Sequence, residues 1–150
     1  MGKGKRKQAR IKQQPSSNKI PRIASDPDSF NQKNPAWRIS NIQFVDPFGW
    51  HNLDFQRIDY IRQKLSDFET MTWNQIFVEA KKQNHSVYID QLSKEAQNRL
   101  DELGMNDIDQ LRSLRLSGKE RVWGVLDQGI FNLLWWDPQH LVYPSKKKYT

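Results

Sequence analysis

Residues 111–143, LRSLRLSGKERVWGVLDQGIFNLLWWDPQHLVY, concentrate most of the side chains in the chain that could carry out proton and phosphate chemistry. Cleaving RNA without a metal requires a base for the 2′-hydroxyl, a cation for the pentavalent phosphate and an acid for the leaving oxygen. Arg115, Lys119, Arg121, His140 and Tyr143, with Glu120 beside them, supply those types within thirty residues. If Ser117-Gly118-Lys119 is a tight turn, Arg115 and Arg121 lie on adjacent strands and share a face, where two guanidinium groups can clamp one phosphate. His140 follows the Asp137-Pro138 break, and an imidazole at a strand end titrates near neutral pH. Each feature has an ordinary counterpart: charge solvated on a sheet surface, and a histidine that only shapes a turn. Trp123 and Trp136 are candidate faces for base stacking. Adjacent tryptophans on a strand point to opposite sides, so at least one of Trp135 and Trp136 belongs to a core.

Strands must position these groups. Leu114 and Leu116 alternate with Arg115, Val122 and Gly124 flank Trp123, and residues 130–136 form a nearly continuous apolar run of strand length. Turn signals at Ser117-Gly118-Lys119 and, for a longer connection, at Asp127-Gln128-Gly129 join them into an antiparallel meander, with a short fourth strand expected over 141–143. The expected arrangement has one sheet face on a core and the other open to a ligand.

Helices are expected upstream. Asp54 is placed to cap a helix with Phe55, Ile58, Ile61, Leu65 and Phe68 on its apolar stripe. Thr72 and Gln75 have capping-box spacing for a second, bearing Trp73, Ile76, Phe77 and Ala80 and stopping near Gln83-Asn84. Residues 85–89 alternate as a short strand. Ser93 caps a third helix carrying Ala96, Leu100 and Leu103, which ends at Gly104, and Asn106 opens a further helical turn towards Leu111. Residues 36–44 read as an aromatic-rich extended piece before the turn signal Asp46-Pro47-Phe48-Gly49. The fold class is therefore α+β: N-terminal helices packed on a small antiparallel meander, in one domain over residues 36–144.

At 150 residues the length suits one domain, and six Trp, seven Phe and four Tyr can fill its core although only 36% of the residues are hydrophobic. With no cysteine, the chain has neither disulfides nor thiolate chemistry. The histidines lack metal-ligand spacing, so no metal and no cofactor is expected. No apolar run spans a bilayer and no signal-peptide core follows the basic N-terminus, so a cytoplasmic protein with no membrane partner is expected. The net charge of +7 is unevenly placed: residues 1–22 hold eight of the 24 basic residues and no acid. Residues 1–35 are expected to be a disordered basic arm and linker, in which Lys5, Arg6 and Lys7 track phosphates or simply confer solubility. Lys146, Lys147 and Lys148 in the basic tail, 145–150, form a second candidate phosphate contact.

The helix bearing Ala96, Leu100 and Leu103, its short acidic connection and the meander LRSLRLSGKERVWGV together resemble the RelE/ParE superfamily of toxin–antitoxin systems, over residues 92–143. Members of that family pack a small antiparallel sheet on N-terminal helices. The RelE-like branch cleaves messenger RNA on the ribosome without a metal, whereas the ParE-like branch binds gyrase. The resemblance implies an endoribonuclease that acts on mRNA and has an antitoxin partner. The alternative is a non-catalytic module that binds nucleic acid or the ribosome, in which the arm supplies affinity and the sheet supplies stacking.

Overall fold

The computed structural model describes residues 30–144. The arm residues Lys5, Arg6 and Lys7 and the tail residues Lys146, Lys147 and Lys148 lie outside the described residues. Five strands form one mixed sheet in the order β1-β5-β4-β3-β2: β1 is Ala36–Arg38, β2 His85–Tyr88, β3 Gln110–Ser117, β4 Glu120–Asp127 and β5 Ile130–Asp137. The expected meander is β3-β4-β5, all antiparallel. Two short strands extend it: β2 runs antiparallel to β3, and β1 lies parallel to β5. Hydrogen-bonding partners so distant in sequence leave no local signal, which is why residues 36–38 read only as an extended piece.

Both hairpins close through two residues. Gly118 takes φ +49°, while Gln128 and Gly129 take φ +50° and +85°. The 127–129 connection is thus tighter than expected, because two successive positive φ values match the twist of the flanking strands. Residues 141–143 form no strand; instead the Val142 carbonyl accepts from the Ser93 N–H at 2.8 Å.

Two helices frame the sheet. Helix α1, Phe55–Phe68, starts where Asp54 accepts the Arg57 N–H at 2.7 Å. Helix α2, Lys94–Glu102, is capped by Ser93 and ends at Gly104, φ +68°. The capping box is present, with Thr72 N–H donating to Gln75 at 2.9 Å and Gln75 N–H returning to Thr72 at 3.3 Å. The turn it opens widens into a π-type segment, Gln75–Glu79. Residues 106–109 form no helix.

Contrary to expectation, neither sheet face is open along its length. Ala96 and Leu100 of α2 pack with Val87, Leu111, Trp123, Leu134 and Trp135 on one face. Ile61 of α1 and Trp73 and Ile76 pack with Leu114, Val122, Phe131 and Leu133 on the other. The nearly continuous apolar run of β5, interrupted only by Asn132, is the cause, since a strand buried on both faces has no reason to alternate. A bulge opposite Trp123 and Gly124 places Leu134 and Trp135 in the same α2-side core. Gly124 is required there: a Cβ would meet the Asn132 carbonyl oxygen and come within 2.5 Å of the Phe131 ring. Residues upstream of Ala36 also take part in the packing: Phe30 joins the α1-side core, and the Asn31 and Lys33 carbonyls accept from Asn74 and Trp73 N–H. On α1 the expected stripe is only partly buried, with Ile61 inside and Phe55 and Ile58 exposed.

Candidate functional site

The α2-side face is apolar beneath the helix but changes character towards the β3–β4 hairpin. Side chains of directly paired residues share a face. His85 pairs with Ser113, which pairs with Trp123; Arg115 pairs with Arg121, which pairs with Asp137. Four strands therefore bring His85, Ser113, Arg115, Arg121 and Asp137 to one end of one face. The turn after β5 adds His140.

Asp137 builds that turn. Its fully buried carboxylate accepts from the Leu141 and Val142 N–H groups, each at 2.9 Å, and from the Trp123 indole at 3.2 Å. The turn carries His140 at φ +59°, a left-handed conformation unusual for a side chain of this size. Held this way, the His140 imidazole stands in the electrostatic field of Arg121, Asp137 and His85.

Arg121 is 9% exposed, and one of its Nη atoms donates to the Gly118 and Glu120 carbonyls at 2.7 and 3.1 Å. Its Nε is buried with no hydrogen-bond partner, and so is the Ser113 Oγ on the neighbouring strand. A buried donor without a partner costs about 1–3 kcal/mol, more when it is charged. Both atoms are shielded from solvent and leave hydrogen-bonding capacity unused beneath the exposed Arg115. Burial, and then the nearby Arg115 cation, lower the pKa of Arg121, while Asp137 opposes the shift. Burial first and Arg121 second depress the imidazoles of His85 and His140; for His140, Asp137 partly offsets this. Burial and the Arg121 cation thus both favour the neutral form of each imidazole.

Of the side chains singled out in the sequence, Arg115, Arg121 and His140 come together here. Lys119 stands exposed at the hairpin tip, and Tyr143 packs half-buried against the α2-side core. Trp123 is 0% exposed and cannot stack on a base; its indole serves Asp137 instead. Trp136 packs against the α1-side core and donates to Glu120 at 2.9 Å. Glu120 itself, 4% exposed, is fully engaged: Arg57 Nε donates to it at 2.6 Å and Arg57 Nη2 at 2.5 Å.

Sequence reasoning missed His85, Ser113 and Asp137. His85 opens a strand 55 residues before His140, and only the β2–β3 register brings it to the site. Asp137 read as a strand-ending break, although its place before Pro138 is the signal of a side chain that organises the following turn. Among the described residues, no group of three or more His, Cys, Asp or Glu is placed to hold a metal ion, and no helix is long and apolar enough to cross a membrane. No protein-family description, no curated protein and no solved structure matches the chain.

Proposed function

We propose that the chain binds RNA and cleaves it as an endoribonuclease that needs no metal, with the hairpin end of the α2-side face as its active surface. The observation that carries this reading is the convergence of two imidazoles and two guanidinium groups on one cationic surface with unpaired buried donors. In the proposed reaction one neutral imidazole takes the proton of the 2′-hydroxyl as its oxygen attacks phosphorus. The other, protonated, gives a proton to the departing 5′-oxygen, leaving a 2′,3′-cyclic phosphate and a 5′-hydroxyl. Arg121 and Arg115 stabilise the phosphorane, whose charge exceeds that of the substrate. The resemblance to RelE-like toxins points to messenger RNA on the ribosome as substrate, an antitoxin as partner and the cytoplasm as location. The buried Trp123 argues against base stacking by that side chain, so affinity rests on charge and on grooves beside the site.

The test is a single-turnover cleavage series on purified RNA, with ribosomes present and absent. The expected products carry 2′,3′-cyclic phosphate ends, form in the presence of EDTA, and disappear in His85→Ala and His140→Ala. A chain that binds RNA under both conditions and never cuts it is a binding module instead.

A further inference from the structure

Arg115 belongs to two places at once. It pairs with Arg121 on the sheet and also lines a groove of about 310 Å³ between the end of α1 and the edge of β3. No strand covers the edge there, because β2 ends its pairing at Ser113; side chains take its place, with Asn84 on the Arg115 N–H and the Tyr60 hydroxyl donating to the Leu116 carbonyl at 3.4 Å. Phe68, Met71 and Leu116 make an apolar floor, and Asp67 and Gln83 stand on the rim. Arg115 and Gln83 are held from the backbone: Asn84 accepts the Arg115 N–H at 2.9 Å and donates to the Ile76 carbonyl at 3.1 Å, and Gln83 N–H donates to the Ala80 carbonyl at 3.0 Å.

Asp67 lies in the last turn of α1, and that turn holds no basic residue. A carboxylate at a helix C-terminus faces the negative end of the helix dipole, an unfavourable position that donors from a ligand would relieve. The Asp67 backbone carbonyl accepts from the Thr70 hydroxyl at 2.7 Å, so the local backbone does not depend on the carboxylate.

We infer that this groove is a guanine subsite, which receives the base next to the phosphate held by Arg115 and Arg121. The inference rests on RNA being the ligand of the adjoining cluster. The volume accommodates a nucleobase, whose face can lie on Phe68 and Met71. A carboxylate accepts two hydrogen bonds side by side, and guanine alone among the four bases offers two adjacent donors, N1–H and the N2 amino group, on its pairing edge. Adenine places an acceptor next to its amino group and is repelled. The Gln83 amide or the Lys64 ammonium, also on the rim, can donate to O6.

The experiment uses the full chain and short 2′-O-methylated RNAs, which cannot be cleaved, differing only in one guanine or one adenine. Binding is read by fluorescence anisotropy. Guanine is expected to bind about tenfold more tightly, the worth of a charge-assisted pair at an accessible site. Asp67→Asn should abolish the preference without lowering the thermal midpoint, because the amide replaces an acceptor with a donor and removes a charge from the negative end of the helix. Equal binding of the two RNAs, or a preference that survives Asp67→Asn, overturns the subsite. RNA bound with the guanine preference but never cut, in its unmethylated form, removes the cleavage reading and leaves the groove. RNA cut with no base preference does the reverse.

Discussion

Glu120 and Arg121 are neighbours on β4, both charged and both at least nine-tenths buried, yet they point to opposite faces and meet opposite conditions. On the α1 side, Glu120 receives Arg57 through two nitrogens, the Trp136 indole and the Ser117 hydroxyl at 3.5 Å. On the α2 side, Arg121 faces a second arginine and two imidazoles with only the Asp137 carboxylate, already engaged by the following turn, to offset them, and it keeps a buried nitrogen unpaired. The first arrangement is complete in itself: every strong acceptor site has a donor, and the pair ties α1 to the hairpin. The second leaves the Arg121 Nε without a protein partner, although its Nη is bonded to two carbonyls and Asp137 stands beside it. A buried charge whose partners all lie in the chain supports structure, whereas one left partly unpaired is a candidate ligand site.

The largest expected effects test the shared scaffold beneath both arrangements. Leu133 and Leu134 are each at most 3% exposed and lie in different cores. Strand alternation alone places only one of two successive leucines inward, whereas here each change to Ala should cost about 2–5 kcal/mol in denaturant unfolding. A neutral change at either position would mean that its face is not covered as described.

Arg121→Ala breaks the comparison on the functional side. Under the proposed chemistry its cation meets charge that grows in the transition state, so cleavage should fall on the order of a hundredfold, about 2.7 kcal/mol, with RNA affinity changed less than about tenfold. Stability should move by less than about 1 kcal/mol, because a buried cation beside Arg115 is removed along with its two carbonyl contacts. A variant that unfolds instead would make Arg121 a second Glu120. His140→Ala should match the loss of turnover, while Lys119→Ala, exposed at the hairpin tip, should weaken binding a fewfold and leave the chemical step alone.

Glu120→Gln is the converse and somewhat smaller in effect. The amide keeps the shape but loses the charge, and one of its atoms now presents hydrogens to Arg57. Because Arg57 is 39% exposed, water makes up part of the loss, and a cost of about 1–2 kcal/mol is expected with the rate of bond cleavage retained. Lost cleavage with an unchanged melting midpoint would move Glu120 into the chemistry.

How much of this was legible in the sequence follows from distance along the chain. The β3–β4–β5 meander, the caps at Asp54 and Ser93 and the Thr72–Gln75 box were all readable, because each is set by residues within a few positions. The two-residue turn pairs Ser117 with Glu120, and an irregularity between Arg115 and Ser117 shifts the register so that Arg115 meets Arg121, the pairing expected with Ser117-Gly118-Lys119 as the turn. Unreadable were the parallel pairing of Ala36–Arg38 with β5 and the arrival of His85, which depend on contacts formed across more than 25 residues. The bulge that sends Leu134 and Trp135 to one side erased the alternation from which facing is read. Trp123 was misjudged for a related cause: an aromatic among basic residues looks like a stacking platform until the helix that covers it is in place.

The smallest effect is the most diagnostic of the two imidazoles. His85 and His140 both have pKa values depressed below their usual 6.5, through burial first and Arg121 second. Between those depressed values and about pH 6.5 the unfolded chain binds more protons than the folded one, so stability rises with pH across that window. The full stability is present above about pH 6.5 and declines as pH falls below it, because protonating either imidazole then places another positive charge beside Arg121. Thermal midpoints from about pH 5 to 7.5 should trace this decline, and His85→Ala combined with His140→Ala should flatten it. A bound phosphate opposes the field of Arg121 and raises both pKa values towards that of the unfolded chain, so adding inorganic phosphate should shrink the decline, with net proton uptake on binding. Under the proposed chemistry one imidazole must be neutral and one protonated, so kcat/KM, which reports the groups of the free protein, should have its maximum on the acid side of about pH 6.5. A pH profile of stability that is flat in wild type, or unmoved by the double change, would show that the two histidines do not share the field of Arg121, and the asymmetry between the two faces of β4 would then be one of packing alone.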